Sequence, residues 1–290
     1  MTQHASPGEF TSTAGIRAWA ANQRLAGRRI GFVPTMGSLH EGHLRLVDRA
    51  RTVADVVVMS IFVNPLQFGP AEDFDRYPRD LRGDRALAAA RGVDVLFLPD
   101  VPTMYPEGAE TRVVPGPAAE RWEGAARPGH FTGVLTVVAK LFHIVAPDVA
   151  VFGQKDAQQV ALVRAMIRDL DSPVALVVAP TAREADGLAM SSRNRFLGAE
   201  ERAQAAGLSA ALRAAHEAWR GGERRREPLE GRARGVLEVY PGVRPEYIAV
   251  VEPGALAPVD MAAAGCLMLV AARVGSTRLI DNIVFGEGIP

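Results

Sequence analysis

The run from residue 55 to 63 (Asp-Val-Val-Val-Met-Ser-Ile-Phe-Val) constrains the fold more than any other feature of this chain. It is apolar at successive positions rather than alternate ones, the pattern of a strand covered on both faces. Shorter runs of the same kind occupy residues 30–33, 93–98, 149–152 and 174–179. Between and before them lie segments with helical spacing of apolar residues, at 16–25, 39–51, 81–91, 131–145 and 157–170. Strand–helix alternation with continuous apolar strands predicts a parallel sheet with helices on both faces. The expected class is therefore α/β, a Rossmann-like parallel sheet flanked by helices.

After Leu197 the texture changes. Residues 199–220 are rich in alanine and arginine and read as helical, and 221–235 are charged, with Pro228 and several glycines, and read as a solvated helix or loop around Arg224 to Arg226. Three strand-like runs follow at 247–251, 266–274 and 278–284 with no helix between them, which predicts a small antiparallel sheet. The expected division is a first domain over 1–181 and a smaller C-terminal α+β domain over 182–290.

Open parallel sheets bind ligands outside the carboxyl ends of their strands. The unusual residues of this chain collect there, after the first, second, fourth and fifth strands of the predicted sheet, at 34–43, 64–77, 153–159 and 181–193. The first group is Pro34-Thr35-Met36-Gly37-Ser38-Leu39-His40-Glu41-Gly42-His43. It reads as a tight turn into a helix that carries His40 and His43 three residues apart, on one face. A helix N-terminus favours an anion, and Gly37 and Gly42 let a bulky ligand approach the backbone. The pattern points to phosphate chemistry on a nucleotide. A second phosphate element, Met190-Ser191-Ser192-Arg193, follows the turn Asp186-Gly187 and offers two hydroxyls and a guanidinium fork. No Gly-x-Gly-x-x-Gly or Gly-x-x-x-x-Gly-Lys-Ser/Thr motif is present, which argues against a dinucleotide dehydrogenase or a P-loop enzyme. Two readings compete: ordinary surface or packing histidines, and metal binding, against which His40-Glu41-Gly42-His43 falls one residue short of the zinc-protease spacing.

Composition narrows the field further. With 33 basic and 33 acidic side chains the net charge is zero, so no global field draws the chain to nucleic acid or an anionic membrane. Arg224-Arg225-Arg226 is flanked by Glu223 and Glu227 and reads as a solvated segment. The one cysteine, Cys266, excludes an internal disulfide and sits in an apolar run, as a buried thiol would. The N-terminus lacks the basic start and apolar core of a signal peptide, and the longest apolar stretches do not suit a membrane span. A cytoplasmic protein is expected.

Beyond these features, the chain resembles a known family. The blocks Pro34 to His43, Phe62-Val63-Asn64-Pro65-Leu66-Gln67-Phe68, Tyr77-Pro78-Arg79, Arg127-Pro128-Gly129-His130-Phe131-Thr132-Gly133-Val134, Phe152-Gly153-Gln154-Lys155-Asp156-Ala157-Gln158-Gln159 and Asp186-Gly187-Leu188-Ala189-Met190-Ser191-Ser192-Arg193-Asn194 are similar to those of pantoate–β-alanine ligases. That family lies within the class I aminoacyl-tRNA synthetase and nucleotidyltransferase superfamily. The resemblance implies that ATP and (R)-pantoate form pantoyl adenylate and pyrophosphate, and that β-alanine then displaces AMP to give pantothenate. It places Met36, Gly37, Ser38, Leu39, His40, Glu41, Gly42 and His43 on ATP, with His40 and His43 on the phosphates and His43 as proton donor. It adds Gly153, Gln154, Lys155 and Asp156 along the nucleotide, Lys155 meeting the charge of the pentacoordinate transition state. Ala182 would contact adenosine through its backbone, and Met190, Ser191, Ser192 and Arg193 would close over the triphosphate.

For the other substrates the resemblance implies Gln67 for pantoate and β-alanine and Gln159 for pantoate. It also implies Mg²⁺, with Asp84 as its candidate ligand; the alternative for Asp84 is a surface carboxylate on a helix, and Gly83 stands where the family is often acidic. A homodimer is implied, and residues 68–78 suggest a lid. Two other classes stay open on the residues themselves: a nucleotidyltransferase acting on a phosphorylated small molecule, which does not account for Gln67 and Gln159, and a nucleotide sensor, which needs no transition-state donors.

Overall fold

The computed structural model describes residues 6–69 and 74–289. Part of the expected lid, Pro70, Ala71, Glu72 and Asp73, lies outside the described residues. The chain divides into two compact units, residues 1–153 with 162–179, and residues 154–161 with 180–290. The sequence boundary was expected at 181/182; residues 154–161 instead group with the C-terminal unit. One physical reason is the Asn282 amide, whose Nδ2 donates to the carbonyls of Gln154 and Lys155, each at 2.9 Å.

The first unit runs β1 (Gly8–Phe10), α1 (Thr13–Leu25), β2 (Ile30–Thr35), α2 (Glu41–Arg51), β3 (Val56–Ile61), α3 (Leu81–Ala90), β4 (Val95–Phe97), the short α4 (Val101–Met104) and α5 (Glu123–Ala126), α6 (His130–Val145) and β5 (Val149–Gly153). Helix α7 (Ala157–Asp169) leads into β6 (Ala175–Ala179). All six strands are parallel, in the order β1-β4-β3-β2-β5-β6. The expected parallel α/β sheet is the observed one. Its strand order reverses between β2 and β5, the topological switch point of a doubly wound sheet.

Burial explains the strand assignments. In β3, Val56 to Ser60 are all buried, so the continuous apolar run follows from cover on both faces. Aspartates satisfy the backbone where strands begin: Asp148 Oδ2 accepts from Ile30 N–H, and Asp94 Oδ2 from Val57 N–H, both at 2.7 Å. The strand β1 was not anticipated. Its three residues are exposed or half-exposed, so no apolar run marks it; it pairs with β4 at the sheet edge.

The second unit contains α8 (Ala199–Ala205), α9 (Gly207–Arg220), α10 (Arg226–Leu237), β7 (Val243–Val251), β8 (Leu267–Val274) and β9 (Thr277–Val284). The three strands form the expected antiparallel sheet, β7-β8-β9. The helical stretch expected at 199–220 is interrupted at Ala206, beside Gly207, whose missing side chain makes room for the ring of Tyr240 (an added Cβ would lie 2.7 Å from it). The charged stretch at 221–235, which the sequence leaves open between helix and loop, is largely α10. Pro228 falls in its first turn, where a missing N–H costs little, and Leu229, Ala233 and Leu237 form a buried stripe four residues apart. Cys266 is buried, as its sequence context predicts.

Candidate active site

In the first unit the turn after β2 is held by side chains on both neighbours. Thr35 Oγ1 donates to Ser60 O at 2.7 Å and accepts from Gly37 N–H at 3.1 Å. The Asp84 carboxylate takes the next two amides, Ser38 N–H at 2.9 Å on Oδ2 and Leu39 N–H at 2.7 Å on Oδ1. Gly37 sits at φ +81°, and a Cβ there would lie 2.8 Å from both Asp84 Oδ2 and Ile61 Cγ2, so only glycine fits. Asp84 is 3% exposed. It is not the surface carboxylate that its place on a helix suggested.

That environment bears on Mg²⁺. The ion keeps several of its waters and needs ligands that face them, whereas Asp84 is buried and directs both oxygens at backbone amides. Among the described residues no group of three or more His, Cys, Asp or Glu could hold a metal. Asp84 fits a brace for the turn and does not fit a ligand to a hydrated Mg²⁺.

The histidines depart from the expected helical pair. His40 is extended (φ −144°, ψ 173°) and caps α2, while His43 is in its first turn. The two rings form a reciprocal cap: Gly42 N–H donates to His40 Nδ1 at 3.1 Å, and His40 N–H donates to His43 Nδ1 at 3.4 Å. Their centroids are 4.1 Å apart. With Nδ1 accepting on each, the neutral rings carry their proton on Nε2. The capping role usually taken by Ser and Glu is here given to two imidazoles, which fixes both orientations.

Gln67 lies in the same unit, 8% exposed, at the end of the short turn Pro65–Gln67. Its Nε2 lies 3.0 Å from Met36 Sδ, so the candidate pantoate residue touches the candidate nucleotide turn. Its Oε1 accepts from Asn64 Nδ2 at 3.1 Å. Its backbone carbonyl accepts from His130 Nδ1 at 2.8 Å and from Arg127 at 3.2 Å, and Arg127 also donates to His130 Nε2 at 3.0 Å.

In the second unit Gln154, Lys155 and Asp156 form a turn that continues directly from β5. Gln154 Nε2 donates to Asn282 Oδ1 at 3.1 Å, returning the bonds that Asn282 makes to this turn. Lys155 is paired loosely with its neighbour, Nζ to Asp156 Oδ1 at 3.7 Å. Gln159 is half-buried in the first turn of α7.

The loop bearing the second phosphate element is folded back on itself. Met190 N–H donates to Ala182 O at 2.9 Å, and Arg183 bridges to Ala189. Ser191 caps the turn Ser192–Phe196, accepting from Arg193 N–H at 3.3 Å, and Ser191, Ser192 and Arg193 are all half-buried. Arg202 holds the Asp186 carboxyl below its ordinary range, chiefly through its hydrogen bonds. A buried ion pair anchors the base of the loop. Arg183 meets Asp281 through two hydrogen bonds of 2.7 and 3.0 Å, with side chains 6% and 0% exposed.

Sequence reasoning named the motif residues but missed their supports. Asn64, Arg127 and His130 lay inside quoted blocks without a role, and Tyr105 and Asn282 were not singled out. A signal existed for one support: Asp281 falls between the apolar pairs Leu279-Ile280 and Ile283-Val284, and a charge buried in a strand requires a partner.

A doubly wound parallel sheet, with a glycine-bearing histidine turn at its switch point, defines this chain as an α/β protein of the nucleotide-site class. A family model described as pantoate-beta-alanine ligase matches residues 9–284. A pantothenate synthetase of Acidobacterium capsulatum is 56% identical over 271 residues, covering 92% of this chain and 91% of that protein. A crystal structure of pantothenate synthetase from Thermus thermophilus superposes with a TM-score of 0.91 at 49% identity, covering 96% of this chain and 99% of the other. A Francisella tularensis pantoate-beta-alanine ligase, solved in complex with beta-gamma ATP and beta-alanine, gives a TM-score of 0.80 at 33% identity over 98% of this chain and 100% of its own. The chain belongs to the pantoate–β-alanine ligase family, and with it to the ligases of pantothenate biosynthesis. Among the described residues no helix is long and apolar enough to cross a membrane.

Proposed function

We propose that this chain joins (R)-pantoate to β-alanine with ATP through pantoyl adenylate. A pantoate carboxylate oxygen attacks the α-phosphorus, and the bond from that phosphorus to the bridging oxygen of pyrophosphate breaks. The β-alanine nitrogen then attacks the acyl carbon, the C–O bond to AMP breaks, and the amine gives up a proton. A free carboxylate is a poor acyl donor because oxide would have to leave; adenylation supplies a good leaving group. Little covalent work falls to the protein, so positioning and charge stabilisation carry the catalysis. The observation that supports this reading best is the 3.0 Å contact between Gln67 Nε2 and Met36 Sδ. It sets the Gln67 amide against the histidine turn, and an amide there that bound the pantoate carboxylate would hold it for attack on an α-phosphate.

In this reading Met36, Gly37, Ser38, Leu39, Glu41 and Gly42 bind ATP through their backbone and shape. His40 and His43 donate from Nε2 to its phosphates. Gly153, Gln154, Lys155, Asp156, Ala182, Met190, Ser191, Ser192 and Arg193 serve the same nucleotide, and Gln67 and Gln159 bind pantoate, with Gln67 also near β-alanine. The beta-gamma ATP and beta-alanine in the complex of the Francisella relative support ATP and β-alanine as substrates in this reading. The proposal extends to a homodimer in the cytoplasm, which light scattering and fractionation test.

The intermediate has a direct test. Labelled pyrophosphate should exchange into ATP when pantoate is present and β-alanine is absent; exchange that requires β-alanine would rule the adenylate out. His43→Ala should lower turnover by roughly 10²-fold. AMP release at near-normal rate from that variant would remove His43 from the mechanism.

A further inference from the structure

The phenol of Tyr105, next after α4, plays no part in the chemistry above, yet it ends a chain of hydrogen bonds that begins at Gln67. Its O–H donates to Asn64 Oδ1 at 2.8 Å. Asn64 has only one workable orientation. Its Oδ1 also faces Leu66 N–H at 3.3 Å, which can only donate, and its Nδ2 faces Gly133 O at 3.0 Å, which can only accept. The same Nδ2 donates to Gln67 Oε1 at 3.1 Å. Gln67 is thereby held with its oxygen bound and its Nε2 as the donating end, resting on Met36 Sδ. A thioether is a weak acceptor, so an incoming carboxylate or hydroxyl oxygen displaces it readily.

We propose that Tyr105 is a positioning residue for pantoate: it fixes Asn64, and through it presents Gln67 to the substrate as a hydrogen-bond donor. The inference rests on the reading of Gln67 as a pantoate ligand. The phenol suits the task because burial raises its pKa, keeping the O–H protonated. Its ring is itself held, with Phe62 at 6.2 Å and Lys140 Nζ 5.7 Å from the centroid. Without the phenol, Asn64 Oδ1 keeps the Leu66 amide at 3.3 Å, a longer and weaker restraint on that end of the side chain, while Nδ2 still faces Gly133 O. Freed from Tyr105, the Asn64 and Gln67 amides sample other placements, and pantoate must restore the order on binding.

Three variants test this, with KM for each substrate and kcat read from AMP release. Tyr105→Phe should raise KM for pantoate about 3- to 10-fold, the effect of one hydrogen bond, while KM for ATP stays within about twofold. In a Gln67→Ala background the same change should add nothing to KM for pantoate. Asn64→Asp still accepts from Tyr105 and Leu66 but cannot donate to Gln67, so it should raise KM for pantoate more than Tyr105→Phe does. The proposal is overturned if Tyr105→Phe leaves KM for pantoate unchanged, if its effect persists undiminished without Gln67, or if Asn64→Asp is silent. Failure of the underlying reading looks different: Gln67→Ala itself would then leave KM for pantoate as it was.

Discussion

Asp281→Ala should cost about 3–5 kcal/mol of stability, the penalty for leaving a buried charge without its partner. That is a large share of the roughly 5–15 kcal/mol that holds an ordinary domain together. The guanidinium of Arg183 is 6% exposed on its side chain and loses both bonds to the carboxylate, keeping only Gly187 O at 3.0 Å and Asn282 O at 3.3 Å. Arg183 Nε has no partner even with Asp281 present, so the site has no spare acceptor to offer. Urea unfolding followed by tryptophan fluorescence measures the loss. A loss under about 1 kcal/mol would mean that water reaches Arg183 and that the pair is no anchor.

The double variant Arg183→Met with Asp281→Leu separates stability from function. Replacing both charges by apolar groups of similar volume is often neutral, so most of the stability should return. Activity should not. Arg183 also binds the carbonyls of Gly187 and Asn282, and Asn282 carries the turn of Gln154 and Lys155. Met and Leu cannot make those bonds, and the loop proposed to close over the triphosphate loses its fixed start.

What the sequence disclosed follows from how each part is stabilised. The sheet was legible because β3 and its neighbours are buried on both faces, and burial on both faces writes an unbroken apolar run. The edge strand β1 is held by backbone pairing, the Glu9–Arg85 ion pair and the contact of Phe10 with Trp19, none of which writes an apolar run. The helix α10 was hidden by Pro228, Gly231 and Gly235, residues that speak against a helix unless one knows that Pro228 is in the first turn and that both glycines face open space. In the candidate site, most of the residues proposed to meet a ligand fall in short contiguous runs, such as the turn from Met36 to His43. Their supports are not contiguous. Asp84 reaches the amides of Leu39 and Ser38 from 45 and 46 residues away, and Asp281 meets Arg183 across 98. A single aspartate on a helix reads as solvated, because nothing local announces the amides it will accept. The histidines show the limit from the other side: their spacing was right for a shared helical face, but His40 ends outside the helix because its ring competes successfully for the amide of Gly42.

Gly133→Ala offers the sharpest test of that long-range support, because two effects of known size oppose each other. Ala is favoured over Gly within a helix by up to about 1 kcal/mol, and Gly133 lies in the first turns of α6, so on local grounds the change should stabilise. The tertiary surroundings forbid it. A Cβ at this position would lie 2.1 Å from Leu66 O, 2.3 Å from Leu66 C and 2.6 Å from Gln67 N. All three are backbone atoms, so no side chain can rotate away, and relief requires α6 and the Pro65–Gln67 turn to separate by about 1 Å, beyond ordinary adjustment in a packed interior. Asn64 Nδ2 would then lose its bond to Gly133 O, and the hold of His130 and Arg127 on Gln67 O would weaken with it. Overpacking of this kind costs about 1–3 kcal/mol or more, which outweighs the helical gain. A 1 Å displacement of the Gln67 amide, the proposed pantoate ligand, should lower kcat/KM for pantoate by about 10²-fold. Both quantities are measurable on the same protein, by urea unfolding and by AMP release. A variant as stable and as active as its parent would mean that the close approach of α6 to this turn is not what holds Gln67, whereas a variant that gains stability but loses pantoate affinity would show the turn yielding while the helix takes its preferred residue.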